Sequence, residues 1–565
     1  MVNSTALSDP AKKIREQNLA AVCASAAAIF ICLFGYLGAV GLVGPDEPRY
    51  AWIARAMSES GDWITPRLYG QPWFEKPVLY YWAAAMGFRL NLSPEWAARL
   101  PSAFAALAAA VAVSCLAWKF FNASKDFVRG PALAAPLIFS TTVAAIGFSR
   151  AATPDMLFSS ALALAMACAA AALGRGGFLG CTNSNAAASP KSDALPLLGW
   201  GALLGAAVLA KGPAAVILAA GAIAIWAVVT RHWGAAMRLA HPLAIGAFLI
   251  VALPWYALCA IRNPDFLRVF IWQHNFERYL TPLFMHRQPF WFFGPIFLLA
   301  LLPWTVLLFP AARAGLQLRR GKSLNNSPGF FFACWTLLPI LFFSFSESKL
   351  PSYVLPAIPP AALLLAVAWS RLSSGDSAGG RAIPYVVVSL GLTWIGLAAA
   401  AILWLRRLPV YQQNDLRAGL LPIAGLALVG GVSIIAMGFR RHQFAFAASI
   451  FLAVACVAIA GRSFLPAFDP YVSARPHAAL LRNSRFPNRI FTYQLARRWN
   501  FGLAFYFHRE LPEWPPQDPE AALLLTTPQG FEKIKQQHRF GGTLEEDYRG
   551  ILFVPVLPAS RDASR

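Results

Sequence analysis

Long apolar runs recur along most of the sequence, and no other feature limits the fold as strongly. Each run holds about 20 residues, which is enough for a helix to cross a bilayer core of roughly 30 Å. Of the 565 residues, 58% are hydrophobic and only 13% are charged, whereas a soluble protein of this length exposes far more charge. The pattern predicts an α-helical polytopic membrane protein with thirteen transmembrane helices. The predicted spans cover residues 19–41, 97–121, 132–149, 154–173, 195–210, 213–230, 241–260, 290–311, 329–346, 352–370, 384–405, 418–439 and 443–461.

Positive charge is concentrated in the short segments between these runs. The net charge is +22, and short loops rich in Lys and Arg face the cytoplasm in membrane proteins. This rule places the N-terminus in the cytoplasm and attributes the charge to topology and lipid phosphates rather than to nucleic acid. The polar segments then share the opposite face, which is the periplasmic side of the inner membrane in a two-membrane bacterium. They are residues 42–96, 150–155, Lys211, 261–289, 347–353 and the tail after Gly461.

The tail predicts a second domain. We divide the chain into a transmembrane domain, residues 1–461, and a periplasmic α/β domain, residues 462–565. Four short stretches of the tail, rich in β-branched and aromatic residues, predict strands, and one further stretch predicts a helix. The strand candidates are RIFTYQLA, LAFYFH, AALLLTT and GILFVPVL, and the helix candidate is PQGFEKIKQQH.

The loop 42–96 carries the densest group of unusual residues. Asp46 and Glu47 stand side by side in a Pro-flanked turn, just before Arg49. Two acids in such a turn imply a fixed geometry at the end of the first span, although the capping of an exposed helix is the simpler alternative. The short apolar stretch 78–90 predicts an interfacial helix rather than a span.

Further ionisable side chains mark the outer ends of apolar segments. Glu75 and Lys76 are adjacent in an extended FEKP stretch, so their side chains point to opposite sides and can serve different partners. Lys76 is a candidate for gripping a phosphate, or it is an interfacial lysine whose ammonium group reaches water. Asp155 and Lys211 lie at junctions between spans, where an ionisable residue indicates function or merely marks a helix end.

Two later loops add cations next to aromatic side chains. Arg262 lies in the first, and Lys349 and Tyr353 lie in the second. Together with Lys76, these residues suit a substrate that has a phosphate headgroup and a hydrocarbon tail, because cations and hydroxyl groups bind phosphate oxygens beside a lipid-facing aromatic belt.

Metal, disulfide and nucleotide chemistry receive little support. His274 could join Glu75 or His286 around a divalent metal, but the spacing matches no metal motif. The eight cysteines form no C-x-x-C pair, so they suggest neither a zinc site nor a disulfide framework. No Walker loop or Rossmann fingerprint is present. We therefore expect no required cofactor, keep a metal as an open alternative, and disfavour a nucleotide-driven pump.

Four stretches, in order, resemble the lipid A 4-amino-4-deoxy-L-arabinose transferases, which are GT-C glycosyltransferases related to the protein O-mannosyltransferases. They are GPDEPRYAWIARAMSESGDWITPRLYGQPWFEKPVLYYW, TPDM, AKG and SKLPSYVLPAIPP. The resemblance covers most of the transmembrane domain and matches the tail only in placement and size. It implies thirteen transmembrane helices and a periplasmic α/β domain, in agreement with the number of spans predicted above.

The resemblance also implies an activity. The expected donor is undecaprenyl phosphate carrying 4-amino-4-deoxy-L-arabinose, and the expected acceptor is a phosphate group of lipid A. Transfer in the periplasm would mask negative charge and give resistance to polymyxin and cationic peptides. By position, Asp46 and Asp155 match the two acids on which the family depends, and Lys76 matches the contact to the donor phosphate. Glu75 matches the acid of the FEKP motif. Further residues are assigned with Lys76 to binding of the donor phosphate or lipid: Arg49, Tyr50, Arg262, Lys211, Lys349 and Tyr353.

The acceptor distinguishes this reaction from protein mannosylation. A phosphate monoester is already ionised near neutral pH, so it needs no strong general base, whereas a serine or threonine hydroxyl must lose its proton. We therefore expect Asp46 to position a substrate or to stabilise charge. We expect a monomer that contacts membrane lipids. One alternative is a GT-C enzyme that moves another sugar to lipid A or to protein. A lipid transporter is the other, and it would place ionisable residues within its spans.

Overall fold

The computed structural model describes residues 10–122, 127–128, 130–175, 177–179, 194–281, 287–320, 324, 327–374, 382–438, 441–483, 489–514, 522–535, 545–547 and 551–556. The membrane region consists of helices in chain order. They are α1 (Pro10–Phe34), α2 (Asp46–Ser60), α3 (Leu79–Arg89), α4 (Pro94–Phe121), α5 (Pro131–Ser140), α6 (Val143–Ser149), α7 (Pro154–Arg175), α8 (Ala194–Lys211), α9 (Ala214–Thr230), α10 (Trp233–Arg238), α11 (Pro242–Arg262), α12 (Arg278–Leu280), α13 (Phe293–Ala300), α14 (Leu308–Arg320), α15 (Pro328–Ser344), α16 (Ile358–Ser373), α17 (Ile383–Arg406), α18 (Val410–Gly438), α19 (His442–Ile459) and α20 (Leu465–Val472).

Helical turns of other types connect some of these helices. The 3₁₀ segments are Phe290–Phe292, Trp304–Leu307 and Pro351–Ala357, and the π-helical segments are Arg268–Glu277 and Ala460–Phe464. Through the last segment, α19 and α20 form one continuous helix, His442–Val472. The predicted domain boundary at residue 461 therefore falls inside a helix and stays a prediction.

The described residues contain nine helices that are long and apolar enough to cross a membrane, or eleven spans if each of two bent helix pairs counts as one. The bends measure 60° between α5 and α6 and 107° between the helical segments before and after residues 301–303. Two further apolar helices, α9 and α15, have 17 residues each, at the lower end of the range of about 17–25 residues that crosses a bilayer core. The helical polytopic class is confirmed. Each predicted span coincides with one of these helices or pairs, but the number thirteen depends on α9 and α15 and stays a prediction.

A polar insertion of two helices and a small hairpin separates α1 from α4. Its first helix, α2, begins with two acids, which favour a helix N-terminus, and ends at Gly61 in the left-handed region, with φ of 73°. The buried side chains of α2 recur at helical spacing at Tyr50, Ile53, Ala54 and Met57, and this face packs on α3. The hairpin pairs β1 (Arg67–Leu68) with β2 (Gln71–Pro72). The helix predicted at 78–90 is present as α3, while its position at a lipid interface stays a prediction.

The tail forms a mixed four-stranded sheet with three helices. Its elements are α21 (Arg475–Arg482), β3 (Ile490–Tyr493), α22 (Arg497–Phe507), β4 (Ala522–Thr526), α23 (Pro528–Ile534), β5 (Glu545–Asp547) and β6 (Ile551–Val556). The strand order is β3-β4-β6-β5, with β3 and β4 parallel and the other pairs antiparallel. In register, Ile490 lies opposite Leu523, and Leu524 lies opposite Val554. The described tail thus combines helices with a mixed sheet, while its existence as a separate domain and its periplasmic side stay predictions.

One predicted strand of the tail is wrong. LAFYFH lies mainly in α22, where Trp499 and Leu503 are buried in the same core of the tail. Their spacing is helical, so tertiary packing of one helix face outweighs the strand preference of a run of aromatic residues. The other three predicted strands are present as β3, β4 and β6, and α23 is present within the described part of its stretch. The sequence analysis missed β5.

A buried polar network connects the tail to the first span and to α4. The Oδ1 atom of Asp469 accepts a hydrogen bond of 2.7 Å from the amide of Gly41, and Arg475 Nη2 lies 2.7 Å from Asp469 Oδ2. The Tyr506 hydroxyl donates to Glu95 Oε1 at 2.8 Å. Because these groups are shielded from water, removal of one partner would leave a buried polar atom unsatisfied. The network holds the tail against the end of the first span and the start of α4.

Candidate functional site

The N-terminal turn of α2 places a buried cation between two acids. Arg49 Nη2 lies 2.6 Å from Asp46 Oδ1 and 2.8 Å from Glu75 Oε2. Asp46 is three residues before Arg49, so both side chains lie on one helix face. The side chain of Arg49 is 6% exposed, whereas that of Asp46 is 52% exposed. Asp46 is thus the solvent-facing end of a fixed group of charges.

Aromatic rings surround the Arg49 guanidinium. Its carbon lies 5.3 Å from the ring centre of Tyr50, 5.4 Å from that of Trp73 and 5.8 Å from that of Phe501 in the tail. Burial opposes the charge on Arg49, but the carboxylates of Glu75 and Asp46 outweigh it, so its pKa is raised above the ordinary value. Arg49 therefore remains a cation that two acids and three rings hold in place.

Tyr50 is enclosed by protein rather than presented to a substrate. Its ring is 3% exposed and packs edge-on against Tyr80, with its centroid 6.1 Å away. Burial, reinforced by the negative charge of Glu75, raises its pKa well above the ordinary value. The structure therefore revises the expectation that Tyr50 binds the donor phosphate, because this side chain is buried and packs against the Arg49 guanidinium.

Glu47 has a different partner from the one its sequence position suggests. Its Oε2 atom accepts hydrogen bonds from Arg99 Nη2 at 2.7 Å and from the amide of Val43 at 2.8 Å. Its Oε1 atom accepts one from the amide of Ala152 at 2.7 Å. Glu47 thus ties the turn before α2 to α4 and to the segment that precedes α7. It has a structural role, and it does not hold Arg49.

A second pair of charges lies at the junction of α7, α8 and α9. Lys211 Nζ donates a hydrogen bond to Asp155 Oδ1, and both side chains are largely buried. Lys211 also lies 4.7 Å from the ring centre of Tyr353. Lys76, whose Nζ atom is 3.6 Å from Glu75 Oε1, lines the same cavity as Lys211. The two pairs therefore belong to one group of charges.

These residues define what we call the cavity-wall cluster: Asp46, Arg49, Glu75, Lys76, Asp155 and Lys211. Three members of the cluster, Glu75, Lys76 and Lys211, line a cavity of about 410 Å³ together with His274. The remaining lining residues are mainly apolar. They are Phe158, Pro213, Ala214, Ile217, Tyr279, Leu280, Phe342, Phe343, Ser346 and Tyr353. Such a cavity suits an ionised headgroup attached to an apolar chain.

Two predicted phosphate ligands lie outside this cavity. Arg262 is more than half exposed, and its Nη1 atom lies 3.3 Å from Asp62 Oδ1. Lys349 is buried and donates to the carbonyl of Ser346 at 2.5 Å. It borders a second, more polar cavity of about 680 Å³ together with Arg287. Ser346 borders both cavities, so the second adjoins the first.

Two of the residues predicted as possible metal ligands line the cavity. Glu75 and His274 border the same cavity, but both oxygens of Glu75 face cations, Arg49 and Lys76. Among the described residues, no group of three or more His, Cys, Asp or Glu side chains could hold a metal ion. His286 lies outside the described residues. The described side chains thus supply fewer ligands than the three or four of a protein zinc site.

The sequence analysis missed most of the apolar half of the site. Phe158, Tyr279 and Phe343 carry no motif that distinguishes them from other lipid-facing residues, and their roles follow only from the fold. Phe501 was assigned to a separate domain, and only its proximity to Arg49 reveals a connection. No local signal predicts a contact between residues about 450 positions apart in the chain.

Comparisons with known proteins point to one family. The model of the dolichyl-phosphate-mannose-protein mannosyltransferase family matches residues 20–270. An undecaprenyl phosphate-alpha-4-amino-4-deoxy-L-arabinose arabinosyl transferase of Edwardsiella ictaluri (strain 93-146) is 32% identical over 63% of this chain and 60% of its own length. A second relative, undecaprenyl phosphate-alpha-4-amino-4-deoxy-L-arabinose arabinosyl transferase 1 of Sodalis glossinidius (strain morsitans), is 30% identical over 78% of this chain and 76% of its own length.

A crystal structure has the same fold over nearly the whole chain. It is ArnT from Cupriavidus metallidurans bound to undecaprenyl phosphate, with a TM-score of 0.74 and 22% sequence identity. The match covers 96% of this chain and 98% of that one. Among the curated relatives, by contrast, the alignment with the Edwardsiella protein spans less than two thirds of that protein.

Proposed function

The chain belongs to the family of undecaprenyl phosphate-4-amino-4-deoxy-L-arabinose arabinosyl transferases, and we propose that it transfers this aminopentose from undecaprenyl phosphate to a phosphate group of lipid A. The observation that carries the proposal is the cavity between α8, α9 and α15. Lys76 and Lys211 line it alongside a largely apolar wall. A polyprenyl phosphate has the same two parts, a phosphate and a hydrocarbon chain.

The reaction exchanges one glycosyl bond for another. An oxygen of the acceptor phosphate forms a bond to the anomeric carbon, while the bond from that carbon to the oxygen of undecaprenyl phosphate breaks. The leaving phosphate takes the electron pair, and no net proton is released. Because negative charge grows on the leaving group, a fixed ammonium group beside it stabilises the transition state more than the ground state. Lys76 is the residue proposed for this role.

Lys211, which lines the same cavity, is proposed to assist Lys76. Its charge is balanced by Asp155 and its ammonium group lies over the ring of Tyr353, which fixes its position before substrate binds. Asp155 is therefore a positioning residue for Lys211. Prepositioned charges need no reorganisation when charge develops, and this is the main electrostatic advantage of an enzyme over water.

Asp46 is proposed to act on the sugar or on the acceptor. Its carboxylate is half exposed and held by Arg49, so it faces solvent in a fixed orientation. An ionised acceptor phosphate requires no deprotonation, so a general base is unnecessary. We assign Asp46 to the stabilisation of positive charge on the sugar ring or on its amino group. The adjoining polar cavity, with Arg287 and Lys349, is the proposed approach for the acceptor phosphate.

The proposal includes a location and a consequence. We place the enzyme in the bacterial inner membrane with this site on the periplasmic side, acting as a monomer without a required cofactor. Support for the location comes from the distribution of Lys and Arg among the short loops. Attachment of a cationic aminopentose to lipid A reduces its negative charge, and the proposal therefore includes resistance to polymyxin and other cationic peptides.

Mass spectrometry of lipid A tests this function. Lipid A from cells that express the chain should gain the mass of one or two aminopentoses compared with cells that lack it. Purified enzyme in detergent, supplied with the undecaprenyl phosphate donor and lipid A, should form the same product, which a transporter cannot do. A hexose increment would indicate a different sugar donor. An unchanged lipid A in both experiments would refute the proposal.

A further inference from the structure

Phe501 extends from the tail domain to the cavity-wall cluster. It lies on α22, yet it packs with the core of the membrane region, not with the cores of the tail. Its ring stacks against Tyr69 of the polar insertion, with centroids 6.4 Å apart and planes inclined by 26°. The same ring lies 5.8 Å from the carbon of the Arg49 guanidinium and 5.6 Å from that of Arg497.

The position of Arg49 depends on what surrounds it. Its Nη2 atom bonds to both Asp46 and Glu75, so a small rotation that favours one carboxylate lengthens the contact to the other. The rings of Tyr50, Trp73 and Phe501 limit this rotation. Phe501 is the only one of these three that the tail supplies. Glu75 Oε1 in turn lies 3.6 Å from Lys76 Nζ. A displacement of Arg49 that shifts Glu75 would therefore also shift Lys76, the proposed phosphate ligand.

We propose that Phe501 is a positioning residue for the transfer reaction and that the tail domain thereby completes the active site. The ring holds Arg49 in the one orientation in which it joins Asp46 to Glu75 and keeps Glu75 beside Lys76. The inference rests on the proposed function, because the positioned groups are those assigned to that reaction. It gives the tail a role in the chemistry in addition to its role in packing.

Substitution of the ring tests this role in the full-length protein. Phe501→Leu removes the aromatic face but keeps an apolar side chain, and it should lower kcat roughly three- to thirtyfold, the range expected for a partly desolvated cation–π contact. The KM for the donor should change less than about twofold, because the apolar cavity wall remains. Phe501→Tyr keeps the ring and should restore kcat.

Phe507→Leu is the matched control. Phe507 lies on the same helix but packs against a core of the tail, so its loss should affect thermal unfolding without a selective loss of kcat. In an Arg49→Gln background, Phe501→Leu should cause no further loss in kcat, because the group that it positions is absent.

Several results would overturn the inference. It fails if Phe501→Leu keeps a kcat within about twofold of the wild type, or if Phe501→Tyr shows the same loss as Phe501→Leu. It also fails if the losses from Phe501→Leu and Arg49→Gln simply add. If Phe501→Leu does not accumulate in the membrane, Phe501→Met is the second ring-free variant, since a flexible Met side chain fills irregular gaps.

The proposed function and this inference can fail separately. Wild-type enzyme that leaves lipid A unchanged refutes the function. In that case, the affinity of purified protein for undecaprenyl phosphate itself still reports on the cavity wall. Phe501→Leu should weaken that affinity severalfold relative to Phe507→Leu. The terminal phosphate of undecaprenyl phosphate carries more negative charge than the phosphodiester of the donor, so its binding depends more on the Glu75–Lys76 pair than the KM for the donor does. Equal affinities in this assay would refute the positioning role.

Discussion

Two buried arginines, Arg49 and Arg99, pair with adjacent acids of the same turn but belong to different kinds of environment. Arg99 binds Glu47 and donates to the carbonyls of Leu37, Val40 and Gly41 at 2.6–2.8 Å. Arg49 binds Asp46, and its described hydrogen bonds and ring contacts are to side chains. The side chains of both are about equally buried, at 5% and 6% exposure.

The comparison shows that the partners of a buried charge, more than its burial, indicate its role. Backbone carbonyls and amides cannot move without unfolding the segment, so the Glu47–Arg99 pair determines the path of the chain. Side-chain partners can move in response to a bound ligand, and Glu75, the second partner of Arg49, lines the main cavity. The Asp46–Arg49 pair therefore belongs to the site. If this distinction is correct, changes in the first pair should alter stability and changes in the second should alter turnover.

The largest effect is expected from Glu47→Gln. Removal of one partner of a buried ion pair costs about 3–5 kcal/mol, because the other charge stays buried without compensation. The protein should therefore unfold at a much lower temperature in detergent, or fail to accumulate in the membrane. Thermal unfolding measures this effect. Asp46→Asn is the matched control, since the neighbouring acid is half exposed, and an equal loss of stability in both variants would contradict the distinction.

Lys76→Gln should have the largest effect on turnover. Loss of one donor that stabilises developing negative charge lowers kcat roughly 10²- to 10³-fold, while the fold should be retained because the side chain ends at the cavity. Single-turnover kinetics with the undecaprenyl phosphate donor measure this change. Arg67→Gln, a change to a partly exposed residue of the hairpin in the same insertion, serves as the control. A Lys76→Gln enzyme with near-normal kcat would remove Lys76 from the mechanism.

The sequence predicts the helical architecture well, but it does not distinguish the roles of Asp46 and Glu47. Apolar runs of about 20 residues have few alternatives to membrane helices, and each predicted span coincides with a helix or a bent pair. The roles of Asp46 and Glu47, by contrast, depend on partners that lie outside their turn. Arg99 is 52 residues away from Glu47, and no local pattern reports such a contact. From the sequence alone, Glu47 could either shape its turn or hold the nearby Arg49.

Tertiary contacts also explain the other differences between expectation and structure. The aromatic run in α22 favours a strand by composition, but one face of this helix packs against the polar insertion, and Phe505 and Arg55 are in contact there. Arg262 and Lys349 lie in loops with the expected chemistry, yet loop composition does not determine which cavity a side chain reaches. Of the predicted phosphate ligands, Lys76, Lys211 and Tyr353 do line the main cavity.

Asp46→Asn tests whether the Asp46–Arg49 pair acts on turnover, as the comparison with the Glu47–Arg99 pair predicts. The substitution keeps size and hydrogen-bonding capacity but removes the charge, so kcat should fall roughly ten- to hundredfold, the equivalent of a hydrogen bond to a charged group. The KM for the donor should change little, since Asp46 is not among the described residues that line the main cavity. Steady-state kinetics with intact lipid A provide the measurement. Turnover close to that of the wild type would exclude Asp46 from the chemistry.

The smallest effect is expected from Arg262→Gln. Arg262 is exposed and its partner Asp62 lies 3.3 Å away, and exposed ion pairs contribute only about 0–1 kcal/mol to stability. Because Arg262 is also outside the lining of the main cavity, kcat and the KM for the donor should change less than about twofold. The same kinetic assay provides the test, with Lys76→Gln as the reference for a cavity-lining cation. A large loss of kcat in Arg262→Gln would mean that the loop of Arg262 moves into the cavity when substrate binds. The partners of a charged side chain in the unliganded fold would then be an insufficient guide to its function.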